Sequence, residues 1–178
     1  MPKRYFCEYA TPENFDDMIM VSNGVALCAL VFKNSPDAMK AFMRVAGCET
    51  EKRDDLEIFA RTREWLDIYF SGEKPDFTPA LAPDLRTEFC ARVSEIMKEI
   101  PYGKTVTYGE IAKRIAEEKG IKRMSAQAVG GAVGANPVCV IIPCHRVVGA
   151  NGKITGYGGG IKNKIGLLKL EGVKNIRL

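Results

Sequence analysis

Cys144 is followed directly by His145, the only histidine in a chain of 178 residues. A thiol attacks carbon well only as its thiolate, and a free cysteine with a pKa of about 8.5 is mostly protonated at neutral pH, so sulfur nucleophilicity needs a base nearby. Side chains of adjacent residues diverge, and proton passage between this pair calls for a bridging water. The pair comes just after the apolar run Val138-Cys139-Val140-Ile141-Ile142 and Pro143. That run reads as a buried strand ending at the edge of a core, where a thiolate is desolvated and still within reach. The six cysteines, at positions 7, 28, 48, 90, 139 and 144, include no CxxC pair. With a single histidine this gives no metal-ligand pattern and no disulfide framework. Cys28 and Cys139 read as small core hydrophobes.

The elements that must position this pair fall into two parts. Met18–Val21 and Val25–Phe32 are apolar runs around Ser22-Asn23-Gly24, an antiparallel hairpin signal. Pro36 opens a helix through Val45, and a second helix is expected from about Asp54 to Phe70. Residues 73–84, EKPDFTPALAPD, hold three prolines and exclude regular helix or central strand, which makes them a linker. Beyond it, Leu85–Ile100 keeps Phe89, Val93, Ile96, Met97 and Ile100 on one helical face. Thr107 caps a helix over Tyr108–Glu118 that ends before Gly120, and Ser125 caps another beginning at Ala126. This predicts an α/β (α+β) chain with a sheet-and-helix domain over 1–84 and a mainly helical domain over 85–178.

The charge divides at the same place. Residues 1–84 carry 10 basic and 15 acidic side chains, net −5, and residues 85–178 carry 16 and 7, net +9. A basic half beside an acidic one suggests that only the second half meets a polyanion. The two helices joined by the basic turn Lys119–Arg123 have the form of a helix-turn-helix, and the Gly and Ala content of the second suits close approach to a DNA groove or to another helix. No signal peptide or membrane span is visible, so the expected compartment is the cytosol, with its nucleoid.

Residues 142–147, IPCHRV, together with PYGKTVTYGEIA at 101–112, AVGGAVGANP at 128–137, VVGANGKITGYGGG at 147–160 and LLKLEG at 167–172, resemble the 6-O-alkylguanine-DNA alkyltransferases in order and spacing. These are also called methylated-DNA-protein-cysteine methyltransferases. The resemblance implies a ribonuclease-H-like first domain and a winged helix-turn-helix-like second one. It implies single-use repair of double-stranded DNA, the alkyl group moving from the 6-oxygen of guanine to Cys144, with the 4-oxygen of thymine a second candidate donor. His145 would deprotonate Cys144, Glu171 would orient the imidazole, and Tyr108 would assist departure of the base. Asn136 would hold the turn before the cysteine, Tyr157 and Gly158 would lie around the base, and Arg146 would contact substrate or DNA. No cofactor, metal, membrane or protein partner is implied, and the chain is expected to act as a monomer.

A guanine inside a duplex cannot reach a partly buried thiol, so the base must be flipped out and its gap filled. The sequence departs from the family there. Gln127 stands where an arginine finger is usual, with Arg123 one turn earlier as a possible substitute, and Ser94 stands where tryptophan is common. Three other classes remain open: a lesion sensor, which lacks the acceptor cysteine; a helix-turn-helix regulator; and a cysteine hydrolase, which would turn over.

Overall fold

The computed structural model describes residues 3–46 and 49–177; Cys48 lies outside the described residues. Four strands, β1 (Arg4–Tyr9), β2 (Met18–Ser22), β3 (Leu27–Phe32) and β4 (Thr50–Lys52), form one sheet in the order β3-β2-β1-β4. β2 pairs antiparallel with β1 and β3, and β4 joins β1 in parallel. The expected hairpin is β2–β3, with Asn23 Oδ1 accepting from the Val25 and Ala26 N–H groups in the turn.

β2 and β3 are buried throughout, which explains why they read as unbroken apolar runs: both faces are covered. Ile19, Val21, Ala29 and Val31 face α1 (Pro36–Ala46), through Met39, Phe42 and Val45. Met18, Met20, Leu30 and Phe32 face the other way, into the main core with Phe59, Leu66 and Tyr69 of α2 (Glu57–Phe70). That core runs on without a break into Val93 and Met97 of α3 (Glu88–Lys98), Ile111 and Ile115 of α4 (Tyr108–Glu118) and Val129 of α5 (Ala126–Gly134). The caps act as expected. Thr107 and Glu110 form a reciprocal capping box at α4, and Ser125 accepts from the Ala128 N–H at α5.

Two segments cover the open edge of β3. Leu27 bonds to both Ala80 and Ala82 of the proline-rich stretch, and Leu30 to Pro137 and Cys139. Covering the edge in this way removes a site for strand addition. It also corrects one expectation: Val138–Ile142 is not a strand. One bridge to Leu30 is all the ladder it makes, and the chain then turns, with the Ile142 N–H donating to Val138 O and Val140 at φ +69°. An apolar run marks burial, and a buried turn reads the same as a buried strand. A short parallel pair, β5 (Val106–Thr107) with β6 (Val147–Val148), ties the start of α4 to the segment after His145, and α6 (Ile161–Leu170) closes the chain. No described helix is long and apolar enough to cross a membrane.

Candidate active site

Asn136 builds the turn that presents the cysteine. Its Nδ2 donates to Val138 O (3.2 Å) and Ile142 O (3.0 Å), and its Oδ1 accepts from the Val138 N–H (3.1 Å). All three bonds are buried, and the strained Val140 conformation persists because they over-determine it. Asn136→Ala strands the buried Val138 N–H, while the Val138 and Ile142 carbonyls keep the Ile142 and Cys144 N–H groups, and is expected to lower stability by about 1–3 kcal/mol in denaturant titration, with slower modification of Cys144 by alkylating reagents.

Cys144 opens a single 3-10 turn, Cys144–Arg146, and is 4% exposed at an open cleft of about 1270 Å³. The cleft is also lined by Tyr108, Gln127, Asn136, Tyr157 and Gly158. The Cys144 pKa is drawn down from 9.0 to about 7, first by the Cys139 thiol beside it. Burial opposes this, while Asn136, Tyr157 and the charge of Lys164 assist. The buried Tyr157 hydroxyl contributes although it is not aligned for a hydrogen bond. Cys139 is buried in the core as expected and also lines the cleft, and its own thiol is pushed well up, first by the Cys144 thiol beside it and then by burial.

His145 and Glu171 meet as expected. The last turn of α6 brings Glu171 Oε1 to 2.7 Å from His145 Nε2, both side chains fully buried. Burial pushes the Glu171 carboxyl up, but the hydrogen bond from His145 and the hydrogen bonds and charge of Arg146 hold it far below its usual range. An ionised carboxylate can only accept, so Nε2 carries the imidazole proton and Nδ1 keeps its lone pair. Nδ1 is buried with no hydrogen-bond partner among the described residues. Burial, together with Arg146 and Lys164, keeps the His145 pKa below 6.5, against the pull of Glu171. The imidazole is thus neutral at physiological pH, as a base must be.

Arg146 departs from expectation. Its Nε and Nη2 donate to the two Glu171 oxygens at 2.9 Å each, its Nη1 donates to Ile100 O at 2.7 Å, and its side chain is 11% exposed. With its donors engaged inward, it is not a surface cation for phosphate. Two more donors complete the carboxylate: the Gly103 N–H at 3.0 Å, and the Tyr69 hydroxyl of α2 at 2.6 Å.

Tyr108, the first residue of α4, lines the cleft and accepts from Thr155 Oγ1 at 3.4 Å. Gln127 is exposed near the start of α5 on the same cleft. Arg123 is exposed too, but lines an adjoining hollow with Lys122 and Ala126 instead. The Gly156–Gly160 loop approaches closely: a Cβ at Gly159 would stand 2.5 Å from the Tyr157 ring and 2.7 Å from Phe32. Gly158 O accepts from Ser35. The Ser94 side chain is buried.

Two residues escaped the sequence reading. Lys164 is fully buried, donates to Val147 O at 2.7 Å, and has its pKa lowered by burial to about 8, with Cys144 pulling it back up. Its helical spacing to Leu167 and Leu168, both buried, was the available signal, since i, i+3 and i+4 share one face. Tyr69 gave no such signal, because its partners lie 76 and 102 positions away.

With this geometry in place, comparison with known proteins is consistent throughout. The 6-O-methylguanine DNA methyltransferase DNA-binding domain matches residues 88–173. The methylated-DNA-protein-cysteine methyltransferase of Haemophilus influenzae is 34% identical over 99% of this chain and 90% of its own length. That of Methanosarcina acetivorans is 51% identical over 67% of this chain and 72% of its own. The crystal structure of Mycobacterium tuberculosis OGT in complex with DNA superposes with a TM-score of 0.74 at 33% identity, over 95% of this chain and 92% of that one. A reactive thiol on a cleft floor, an imidazole held by a buried carboxylate, and likeness along nearly the whole length place this chain in the methylated-DNA-protein-cysteine methyltransferase family.

Proposed function

We propose that the chain repairs alkylated DNA by direct reversal, moving a methyl or other alkyl group from the 6-oxygen of guanine onto Cys144. The observation that carries this is the Cys144 thiol, drawn down to about pH 7 at the floor of a cleft large enough for a nucleobase. The Cys144 thiolate attacks the alkyl carbon, a carbon–sulfur bond forms, and the carbon–oxygen bond breaks with its electrons passing to the guanine oxygen. The guanine anion that leaves regains one proton, balancing the one the thiol gave up to His145, so the products are guanine and a stable thioether, and each molecule acts once and needs no cofactor.

His145 Nδ1 takes the thiol proton through a bridging water, and Glu171 holds the imidazole in the tautomer that leaves Nδ1 free. The Tyr108 hydroxyl donates to the departing base, whose developing negative charge it offsets. Tyr157 and Gly158 border the base, and Asn136 keeps the cysteine turn in place. The division into a 1–84 domain with its 73–84 linker and an 85–178 domain, and work as a monomer at the cytosolic nucleoid, belong to the same proposal. Lys164, cationic below about pH 8, adds a positive charge that favours the Cys144 thiolate once the proton has passed to His145.

Intact mass and peptide mapping after mixing equimolar protein with a duplex holding one methylated guanine test the reaction. One methyl on the Cys144 peptide, saturating at one per protein, is the expected result. Lesion-selective binding with no gain in mass would replace the repair reading with that of a sensor.

Gln127, at the start of α5, fills the gap left by the extruded base and hydrogen-bonds the unpaired partner. One neutral hydrogen bond is worth about 0.5–1.5 kcal/mol. Gln127→Ala is therefore expected to slow repair of duplex substrate roughly three- to tenfold, measured in single-turnover reactions against the same lesion in single-stranded DNA. An unchanged duplex rate would rule out the finger role and turn attention to Arg123.

A further inference from the structure

The charge division reserves contact with a polyanion for the second half of the chain, and the structure breaks that division at one place. Lys40 and Arg44, one helical turn apart on α1, line the same cleft as Cys144, Tyr108 and Gln127. α1 belongs to the acidic half, but it is fixed to the site. Its apolar side packs on the sheet through Met39, Phe42 and Val45, and Ser35, at its start, hydrogen-bonds to Gly158 O of the loop beside the base.

Neither cation is committed elsewhere. The Lys40 side chain is 81% exposed, and its one ion pair among the described residues, to Asp37 at 3.6 Å, is also open to solvent. Such pairs contribute about 0–1 kcal/mol and exchange readily for a stronger anion. Arg44 is exposed and makes no hydrogen bond or ion pair among the described residues. Among the described residues Asp37 is the one acid lining the cleft, so α1 presents a net positive charge there. A guanidinium held on a packed helix suits a phosphate, which it can grip through two parallel hydrogen bonds.

We infer that α1 forms a second DNA-contacting wall, with Lys40 and Arg44 neutralising backbone phosphates beside the nucleotide turned into the cleft. The inference rests on duplex DNA being the substrate. Phosphate contacts set position and carry no sequence information, so the wall serves any flanking sequence equally. It also supplies cationic hold on the DNA in a chain whose Gln127 brings none to the finger position.

The test is the salt dependence of binding to an unmodified duplex oligonucleotide, followed by fluorescence anisotropy between 50 and 200 mM KCl. Each neutralised phosphate contributes about 0.9 to the slope of log affinity against log salt. The Lys40→Ala/Arg44→Ala chain is expected to lose about 1.8 from the slope, and to bind roughly 10- to 100-fold more weakly at 0.1 M salt. Lys40→Arg/Arg44→Lys, which keeps both charges, should retain the wild-type slope, and Lys52→Ala/Lys74→Ala, away from the cleft, should retain it as well. A wild-type slope in the first variant would overturn the contact alone. A slope lost equally in the charge-conserving variant would make the effect structural and overturn it too. Wild-type binding without salt dependence would overturn both the contact and the reading of DNA as substrate.

Discussion

A chain with serine at position 144 is expected to take up no alkyl group, a loss on the order of 10⁴-fold or more in single-turnover rate, while keeping its fold and its preference for lesion-bearing duplex. Serine fills nearly the same space, so the difference isolates chemistry. The neighbours of Cys144 bring the thiol down to about 7, within reach of neutral pH. The same neighbours cannot bring an alcohol, which starts far higher, anywhere near ionisation. The wild-type rate should consequently rise with pH through about 7 as the thiolate forms, then fall above about 8 as Lys164 loses the proton that makes it a counter-ion. Lys164→Met removes that counter-ion, and the rising limb should move to higher pH. A rate flat from pH 6 to 9 in the wild type would show that thiolate formation does not control the reaction.

The chemistry of this site was easier to read in the sequence than its support. Cys144 and His145 are adjacent, and Asn136 and Tyr108 sit in short motifs, so local sequence carries them. Thr107, Ser125, Pro36 and Asn23-Gly24 act through neighbours within a few positions, and the elements they bound stand where expected, give or take a turn. What failed was long-range or context-dependent. The run 138–142 is buried as expected, but its geometry is set by Asn136 and by the edge of β3, which no periodicity records. Arg146 reads as an accessible cation until the fold brings Glu171 and Ile100 to it from 25 and 46 positions away. The charge balance of 1–84 says which half is basic but not that α1 turns two of its cations toward the cleft.

Glu171 carries the second large effect, because its carboxylate ties both halves of the chain to the imidazole. Oε1 accepts from His145, Tyr69 and Arg146 at 2.7, 2.6 and 2.9 Å, and Oε2 from Arg146 and the Gly103 N–H at 2.9 and 3.0 Å. Glu171→Gln keeps the shape but leaves the largely buried Arg146 guanidinium without its counter-charge, a change that costs about 3–5 kcal/mol when one partner of a buried pair is removed. Urea unfolding at pH 7 is expected to show that loss, together with a slower alkyl-transfer rate, since the amide can present a donor to His145 and let the imidazole leave its tautomer. The folded carboxyl pKa lies below the usual 4.5, so its stabilisation is fully present above that value and disappears as pH falls through the folded one. The wild-type advantage over Glu171→Gln should therefore shrink only below about pH 4.5. Replacing both partners, Glu171→Leu with Arg146→Met, removes the charge imbalance and should recover most of the stability. The rate should not recover with it, because nothing then holds Nε2–H and frees Nδ1. If the double variant regained both, the carboxylate would be a packing element with no part in orienting His145, and Tyr69→Phe, which removes one of its five hydrogen bonds, should then leave the pH–rate profile untouched.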